Sequence, residues 1–213
     1  MSFTEALSIA ARSVYIAGTA TLLAFTWSFP LAYTMSLVRK ARLLATVLES
    51  LVGFPTVLVG LLVYMLLSRS GPLGFLGLLY TPYAVVIGEA LLVTPLMTGI
   101  LYRVLETTAR RYWEVAVSLG ASEGQALVTA LREAFPAVIA TVVMGFSRAI
   151  GELGVALLVG GNIRGYTRTL TTAIALGVSK GEFEDALALG AILLVIVVSL
   201  SVAARLLLRG ERL

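Results

Sequence analysis

Residues 13–38, SVYIAGTATLLAFTWSFPLAYTMSLV, hold no charged side chain. A helix of this length crosses the hydrocarbon core of a bilayer, which is about 30 Å thick, with some tilt. A cleaved signal peptide is the alternative, but a basic region at the very start is missing. The run is also longer than the usual apolar segment of a signal peptide, about 7–15 residues. The stretch therefore predicts a membrane span.

The composition of the whole chain agrees with a membrane protein. Of its 213 residues, 59% are hydrophobic and 13% are charged, and the mean hydropathy is +0.97. Soluble domains are about 45–50% apolar and about 25% charged. The sequence contains no cysteine and no histidine, which argues against disulfides, zinc or haem ligation and thiol catalysis. We expect no metal site and no catalytic residue.

Four further apolar runs predict an all-α, polytopic fold with five spans in one domain, 1–213. The predicted spans are 13–38, 44–68 (with Pro55 inside it), 80–102, 136–158 and 186–205. Residues 103–135 then form a loop on one side of the membrane, and residues 160–185 form a loop on the other. The apolar stretch 170–178 in the second loop is too short to cross, which favours an external or re-entrant helix.

The Lys and Arg residues of the connections predict the orientation, because cytoplasmic loops carry an excess of both. One side holds ten of them: Arg39, Lys40, Arg42, Arg103, Arg110, Arg111, Arg132, Arg205, Arg209 and Arg212. The other side holds five: Arg12, Arg69, Arg164, Arg168 and Lys180. This bias puts the N-terminus outside the cell, the C-terminus in the cytosol and the 103–135 loop in the cytosol.

The cytosolic segment is too balanced in charge to be a lipid-binding patch. It holds four basic and four acidic residues between Arg103 and Glu133, whereas a patch for anionic lipid is strongly basic. Gly120 can end one helix in the left-handed conformation, and Ser122 can cap the next. The pattern predicts a helix–turn–helix knob facing the cytosol, with a solvated loop as the alternative.

Residues 114–126 resemble the cytoplasmic EAA loop of permease subunits of binding-protein-dependent ABC importers. That family's pattern reads Glu-Ala-Ala, three residues, then Gly; Glu114, Ala116 and Gly120 match it, and Val115 replaces its second position. The family's Leu-Pro step is missing, and Phe135-Pro136 follows instead. The resemblance implies a coupling helix that contacts a separate ATPase. Its expected contact residues are Glu114, Ala116, Gly120, Ala121, Ser122 and Glu123.

Two longer blocks, 54–96 and 148–194, resemble the oxyanion branch of these permeases. Within the second block, GGNIRGYTRTLTTAIALGVSKG at 160–181 is most similar to tungstate permeases. Molybdate and sulfate permeases share the GE and GNI elements of the block, at 151–152 and 161–163, but usually continue differently. The resemblance implies a type I ABC importer transmembrane domain in the cytoplasmic (inner) membrane of a prokaryote. Tungstate is the expected cargo, with molybdate or sulfate as the alternatives.

The partners follow from the same resemblance. The sequence has no G-x-x-x-x-G-K-[ST] phosphate-binding loop, so ATP and Mg are expected in a partner ATPase dimer and no cofactor is expected in this chain. The chain is therefore not expected to be an enzyme. The other expected partners are a second copy of the chain, an extracytoplasmic solute-binding protein and membrane lipid, but not nucleic acid.

Loop 160–185 carries cationic, hydroxyl and amide donors, which are the groups an oxyanion prefers. The candidate anion contacts are Asn162, Arg164, Thr167 and Arg168. The alternative is that these side chains lie in water or dock the binding protein.

Three charged residues are expected inside the membrane. Arg148 and Glu152 are four apart and share a helix face, and Glu89 lies on the third span. Each such charge costs about 2.5–3.5 kcal/mol on translocon scales, so all should face protein or a wet cavity. They either hold helices together, which we favour, or line the pathway. The two carboxylates also keep an ion-coupled secondary transporter as a distant alternative.

Overall fold

The computed structural model describes residues 1–38 and 41–210, with side chains up to residue 206. Four residues counted in the predicted charge bias fall outside this description: Arg39, Lys40, Arg212 and the side chain of Arg209. The predicted cytosolic C-terminus, at 211–213, also lies outside the described residues.

All regular secondary structure in the described residues is helical, which confirms the expected all-α class. The helices are α1 (Phe3–Ser36), α2 (Ala41–Leu51), α3 (Thr56–Leu67), α4 (Pro82–Arg103), α5 (Arg110–Ser118), α6 (Glu123–Ile150), α7 (Gly154–Gly160), α8 (Leu170–Lys180) and α9 (Phe183–Gly210). A π-helical segment, Val104–Ala109, joins α4 to α5 without a break, and a short 3-10 turn, Gly74–Leu76, precedes α4.

The structure has four or five helices that can cross a membrane, within the described ranges. Helices α1, α6, α9 and the continuous run Pro82–Ser118 are long and apolar enough. The predicted second span, 44–68, is a pair of helices, α2 and α3, bent by 97°. Pro55 is the residue before α3 rather than one inside a helix. Proline lacks an N–H, and the residue before it avoids helical angles, so the chain breaks here.

The predicted fourth span, 136–158, also differs from the structure. Helix α6 begins much earlier, because Ser122 and Gln125 form a capping box at its start. It ends at Ile150, and α7 is a separate short helix. Between them Glu152 Oε1 accepts the N–H groups of Gly154 at 2.9 Å and Val155 at 3.3 Å. The carboxylate thus takes backbone donors that a continuous helix would have paired with carbonyls.

The first helix begins at Phe3, so Glu5 and Arg12 are helical instead of lying before the span. Both side chains find a partner at this end of the molecule: Glu5 pairs with Arg164, and Arg12 donates to a backbone carbonyl. The predicted loop 103–135 is largely helical as well, since the π-segment, α5 and the first half of α6 occupy it.

Helix α1 lies along α4 and also contacts α6, and it connects three apolar clusters. The central cluster includes Ile16, Val93 and Met97. A second cluster joins the last turns of α1 to α2, the end of α4 and the first half of α6. A third joins the first turns of α1 to α8 and α9. Segment 103–123 therefore lies at one end of α1, here called the knob end, and residues 161–182 lie at the other, the loop end.

Glycines allow the close approach of α3, α4 and α7. A Cβ added at Gly88 in α4 would lie 2.5 Å from Val155 Cγ1 in α7, and one added at Gly60 in α3 would lie 3.0 Å from the Cα of Val155. Val155 itself is fully buried. Small residues at these contacts permit close backbone packing, as in other membrane bundles.

We expect Gly88→Ala to lower stability by about 1–3 kcal/mol, because the methyl group overpacks the α4–α7 contact. Gly190→Ala in α9 is the matched control. A Cβ at Gly190 meets nothing within 4 Å, so the alanine should be neutral or stabilise by about 0.5–1 kcal/mol through helix propensity. Thermal unfolding of the solubilised protein measures both. Equal midpoints for the two variants would contradict this packing.

Candidate functional site

The knob consists of α5, the turn at residues 119–122 and the first turn of α6. Gly120 has φ +90°, the left-handed conformation that glycine tolerates, and the N–H of Ala121 donates to the carbonyl of Ala116 at 3.0 Å. Arg110 Nε donates to Glu114 Oε1 at 2.9 Å on the surface of α5. The six residues expected to contact an ATPase thus lie in one short helix–turn–helix unit, as the sequence predicted for the local shape.

Large apolar side chains are exposed on this otherwise polar knob. Leu119, at the tip of the turn, is 83% exposed, and Trp113, Val115 and Val117 are also exposed. A groove of about 400 Å³ lies beside Trp113, between the end of α1, the π-segment, α5 and α6. Exposed apolar patches of this kind indicate a protein-binding surface. Sequence analysis missed Trp113 and Leu119; the signal was the run of apolar residues at 113, 115, 117 and 119.

The structure brings the three intramembrane charges together. Arg148 Nη1 donates to Glu152 Oε2 at 2.6 Å, as the four-residue spacing predicted. The side chain of Glu152 is 3% exposed and that of Arg148 is 33% exposed. The backbone carbonyl of Glu152 also accepts the hydroxyl of Thr171 at 2.7 Å. Glu152 therefore connects α6, α7 and the start of α8.

Glu89 is the third member of this charged cluster. It is 2% exposed and lies near Arg148 and Glu152. Its Oε2 atom has no hydrogen-bond partner within the described residues. The guanidinium of Arg148 is thus directed to Glu152 rather than shared equally between the two carboxyl groups.

Loop 161–169 uses most of its polar groups to hold its own shape. The hydroxyl of Thr167 is fully buried; it donates to the carbonyl of Gly160 at 2.6 Å and accepts the N–H of Ile163 at 2.9 Å. Arg168 Nε donates to Asn162 Oδ1 at 3.1 Å. Thr167 therefore cannot reach an anion in this conformation, whereas the guanidinium groups of the loop lie nearer the surface.

Arg164 is paired across the molecule with the first helix. Its Nε and Nη2 atoms donate to the two carboxylate oxygens of Glu5 at 2.9 and 3.0 Å. These hydrogen bonds, and the negative charge of Glu5, raise the pKa of Arg164. The pair is a two-point contact between a planar guanidinium and a carboxylate, the geometry in which arginine binds anions most specifically.

We expect Arg148→Met to lower stability by about 2–3 kcal/mol, because it leaves the carboxylate of Glu152 buried without its cation. Glu152→Gln should cost less, since its amide oxygen can still accept the N–H groups of Gly154 and Val155. The double variant Arg148→Met, Glu152→Gln should regain part of the loss. Thermal midpoints of all three variants measure the coupling, and purely additive losses would contradict a structural ion pair.

Comparison with known proteins identifies relatives over almost the entire chain. The family described as binding-protein-dependent transport system inner membrane component matches residues 20–212. The tungstate uptake system permease protein TupB of Peptoclostridium acidaminophilum is 44% identical over 186 residues, which cover 86% of this chain and 82% of that protein. A probable anion ABC transporter permease protein of Haloferax volcanii is 33% identical and covers 94% of this chain and 90% of its own length.

A solved structure shares the fold. The crystal structure of an amino acid ABC transporter with histidines superposes with a TM-score of 0.70, covering 97% of this chain and 94% of that one. The two sequences are 18% identical, so the likeness concerns the arrangement of helices only. In the described ranges, no group of three acidic, cysteine or histidine side chains is placed to hold a metal ion.

Proposed function

The chain belongs to the family of binding-protein-dependent transport system inner membrane components, and we propose that it is the permease subunit of an ATP-driven importer of tungstate. Membership of the family confirms the family resemblance found in the sequence and makes the chain a multi-pass protein of the cytoplasmic membrane. The choice of tungstate as the substrate rests on the 44% identity, over 86% of the chain, with a tungstate uptake permease. The block at 160–181 supports the same cargo.

The two ends of the molecule receive different roles in this proposal. The knob end faces the cytosol, and the loop end, with the start of α1, faces outward. The charge-rich connections support this orientation, because Arg42, Arg103, Arg110 and Arg111 all lie at the knob end. The outward end would receive the anion from a solute-binding protein.

The knob is proposed to contact a separate ATPase that binds ATP and Mg. Leu119 and Trp113 provide apolar contact area, and the Gly120 turn holds the two helices of the knob at a fixed angle. A rigid unit with apolar anchors transmits motion better than a solvated loop would. The residues proposed to touch the ATPase are Glu114, Gly120, Ala121, Ser122 and Glu123, together with Leu119 and Trp113. Ala116, which the sequence also predicted as a contact, is buried, and its carbonyl accepts the N–H of Ala121 in the turn.

A second copy of the chain is proposed to complete the pathway. Helices α3 and α9 expose long apolar faces, with Leu61, Met65, Leu194 and Val198 among the exposed side chains. In the membrane such faces contact lipid or another subunit. Glu89, Arg148 and Glu152 are proposed to hold helices together rather than to carry the anion, because Glu152 is fully engaged by Arg148 and by backbone N–H groups.

We expect Leu119→Glu to abolish copurification of the ATPase while leaving thermal stability unchanged, because the side chain is exposed and packs on nothing in this chain. Phe75→Glu is the matched control, since Phe75 is 82% exposed but lies between α3 and α4, away from the knob. Pull-down of the ATPase from solubilised membranes measures the effect. Retention of the ATPase by Leu119→Glu would contradict the proposed contact.

The function is tested by ATPase activity of the reconstituted complex. This chain, its ATPase and its binding protein are placed in liposomes and titrated with tungstate, molybdate and sulfate. We expect stimulation by tungstate at much lower concentration than by the other two. Equal stimulation by all three, or stimulation by sulfate alone, would remove tungstate as the specific cargo. Absence of stimulation by any oxyanion would overturn the proposed function.

A further inference from the structure

Three arginines line one open polar pocket at the loop end of the molecule. The pocket has a volume of about 390 Å³. We call it the arginine pocket and define it by the residues Glu5, Ser8, Arg12, Arg164 and Arg168. Helix α1 contributes the first three and loop 161–169 the last two, so the pocket forms only when the start of α1 packs on the loop.

The arginine pocket carries more positive than negative charge. Arg164 is paired with Glu5, but no ion pair found within the described residues includes Arg12 or Arg168. Arg12 Nη1 instead donates to the backbone carbonyl of Arg168 at 3.0 Å, and Arg168 donates to Asn162. With three guanidinium groups and one carboxylate, the pocket has two positive charges in excess.

Neighbouring charged groups do not cancel this excess. The adjacent cavity, of about 340 Å³, is lined on its far side by the N-terminal amine, Lys180, Glu182 and Asp185. The amine donates to Asp185 Oδ2 at 2.8 Å. These four groups comprise two cations and two anions. The arginine pocket therefore keeps its own excess charge, which an anion bearing two negative charges would neutralise.

The carboxylate of Glu5 already binds the guanidinium of Arg164 in the way that an oxyanion would. Its two oxygens accept hydrogen bonds from Nε and Nη2 of Arg164, and a tetrahedral oxyanion presents pairs of oxygens with similar spacing to a guanidinium. Arg164 is exposed and Glu5 is partly exposed, and an ion pair that water reaches in this way is weak and readily exchanged. Ser8 also lines the pocket, but its hydroxyl donates to the backbone carbonyl of Glu5 at 2.8 Å.

We propose that the arginine pocket binds a tetrahedral oxyanion dianion, with Arg12 and Arg168 holding the anion and Glu5 competing with it for Arg164. The identity of the anion as a transported oxyanion rests on the proposed function, whereas the pocket itself rests on the arrangement of these side chains. Arg12 and Glu5 are the new members, since neither lies in the loop that carried the expected contacts. Exchange of Glu5 for the anion would loosen α1 from loop 161–169.

The test is binding of radiolabelled tungstate to the full chain in phosphatidylcholine nanodiscs, with binding protein and ATP absent. We expect Arg12→Gln to weaken binding about threefold to tenfold and Glu5→Gln to strengthen it by a similar factor, because the variant removes the competing carboxylate. Arg12→Lys, which keeps the charge but loses the planar fork, should fall between Arg12→Gln and the unaltered chain. A misfolded variant cannot bind more tightly, so the Glu5→Gln result is independent of any folding defect.

Arg69→Gln is the matched control, because Arg69 is exposed between α3 and α4 and does not line the pocket. The tungstate affinity of the Arg69→Gln variant should equal that of the unaltered chain. Unchanged affinity in both Arg12→Gln and Glu5→Gln, or no saturable tungstate binding, would overturn the proposal. A lipid phosphate offers the same tetrahedral chemistry, so the titration is repeated with phosphatidylglycerol in the nanodiscs. Loss of tungstate binding in the phosphatidylglycerol nanodiscs would assign the pocket to a lipid phosphate and would overturn the proposal that it binds a free anion.

This result is separable from the test of the proposed function. Binding to the arginine pocket is measured without ATPase or binding protein, whereas the importer is tested by oxyanion-stimulated ATP hydrolysis. Stimulated hydrolysis with no effect of the Arg12 or Glu5 variants on binding would refute the pocket alone. Pocket binding that follows the expected order, with no stimulated hydrolysis, would refute the importer alone.

Discussion

The bilayer requires every backbone N–H and carbonyl within it to find a partner in the protein, and the structure depends on how two helix breaks meet that requirement. Glu152 does so at the break between α6 and α7, because its carboxylate accepts two freed N–H groups while Arg148 neutralises its charge. At the α2–α3 break, Pro55 has no N–H to satisfy. Interrupted helices inside membranes are tolerated where the freed backbone groups find such partners.

The uncharged runs of the sequence predicted the class of fold because charge is excluded from lipid. Residues 82–102 of the predicted third span and residues 186–205 of the predicted fifth span lie within single helices of the structure, α4 and α9. The same rule misjudged the ends of other helices. Glu5 and Arg12 lie inside α1, although both are charged. Their partners are in loop 161–169, far along the chain, so the local sequence gives no sign that these charges can be part of the helix. The bend at Pro55 was visible as a proline, but its 97° angle depends on the packing of α3 against α7.

The candidate site was predictable to the extent that it is local. The Gly120 turn and the Ser122 cap follow from residue types, and the Arg148–Glu152 pair follows from helical spacing. The burial of Thr167 and the pairing of Arg164 with Glu5 were not predictable, because they depend on tertiary contacts between residues far apart in sequence. Loop 161–169 consequently looked like a free set of anion donors, whereas the structure shows that many of its donors hold the loop itself.

Helix α1 unites these features, because it runs from the arginine pocket, past the central apolar cluster, to the groove beside the knob. A change in the contact between Glu5 and Arg164 at one end therefore acts on a helix that packs, at the other end, on the π-segment and α6 beside the knob. In the proposed importer, a single continuous helix would thus connect the anion-binding end to the end that contacts the ATPase. This connection requires that the two ends of α1 lie on opposite sides of the membrane.

Sidedness is the most direct test of that requirement, and the absence of cysteine from the sequence makes it simple. Single-cysteine variants Ser118→Cys, on the knob, and Ser70→Cys, between α3 and α4 at the loop end, are treated with a membrane-impermeant maleimide in intact cells. We expect Ser70→Cys to react in intact cells and Ser118→Cys to react only after the membrane is opened. Labelling of Ser118→Cys in intact cells would contradict a cytosolic knob, and with it the proposed coupling to an ATPase.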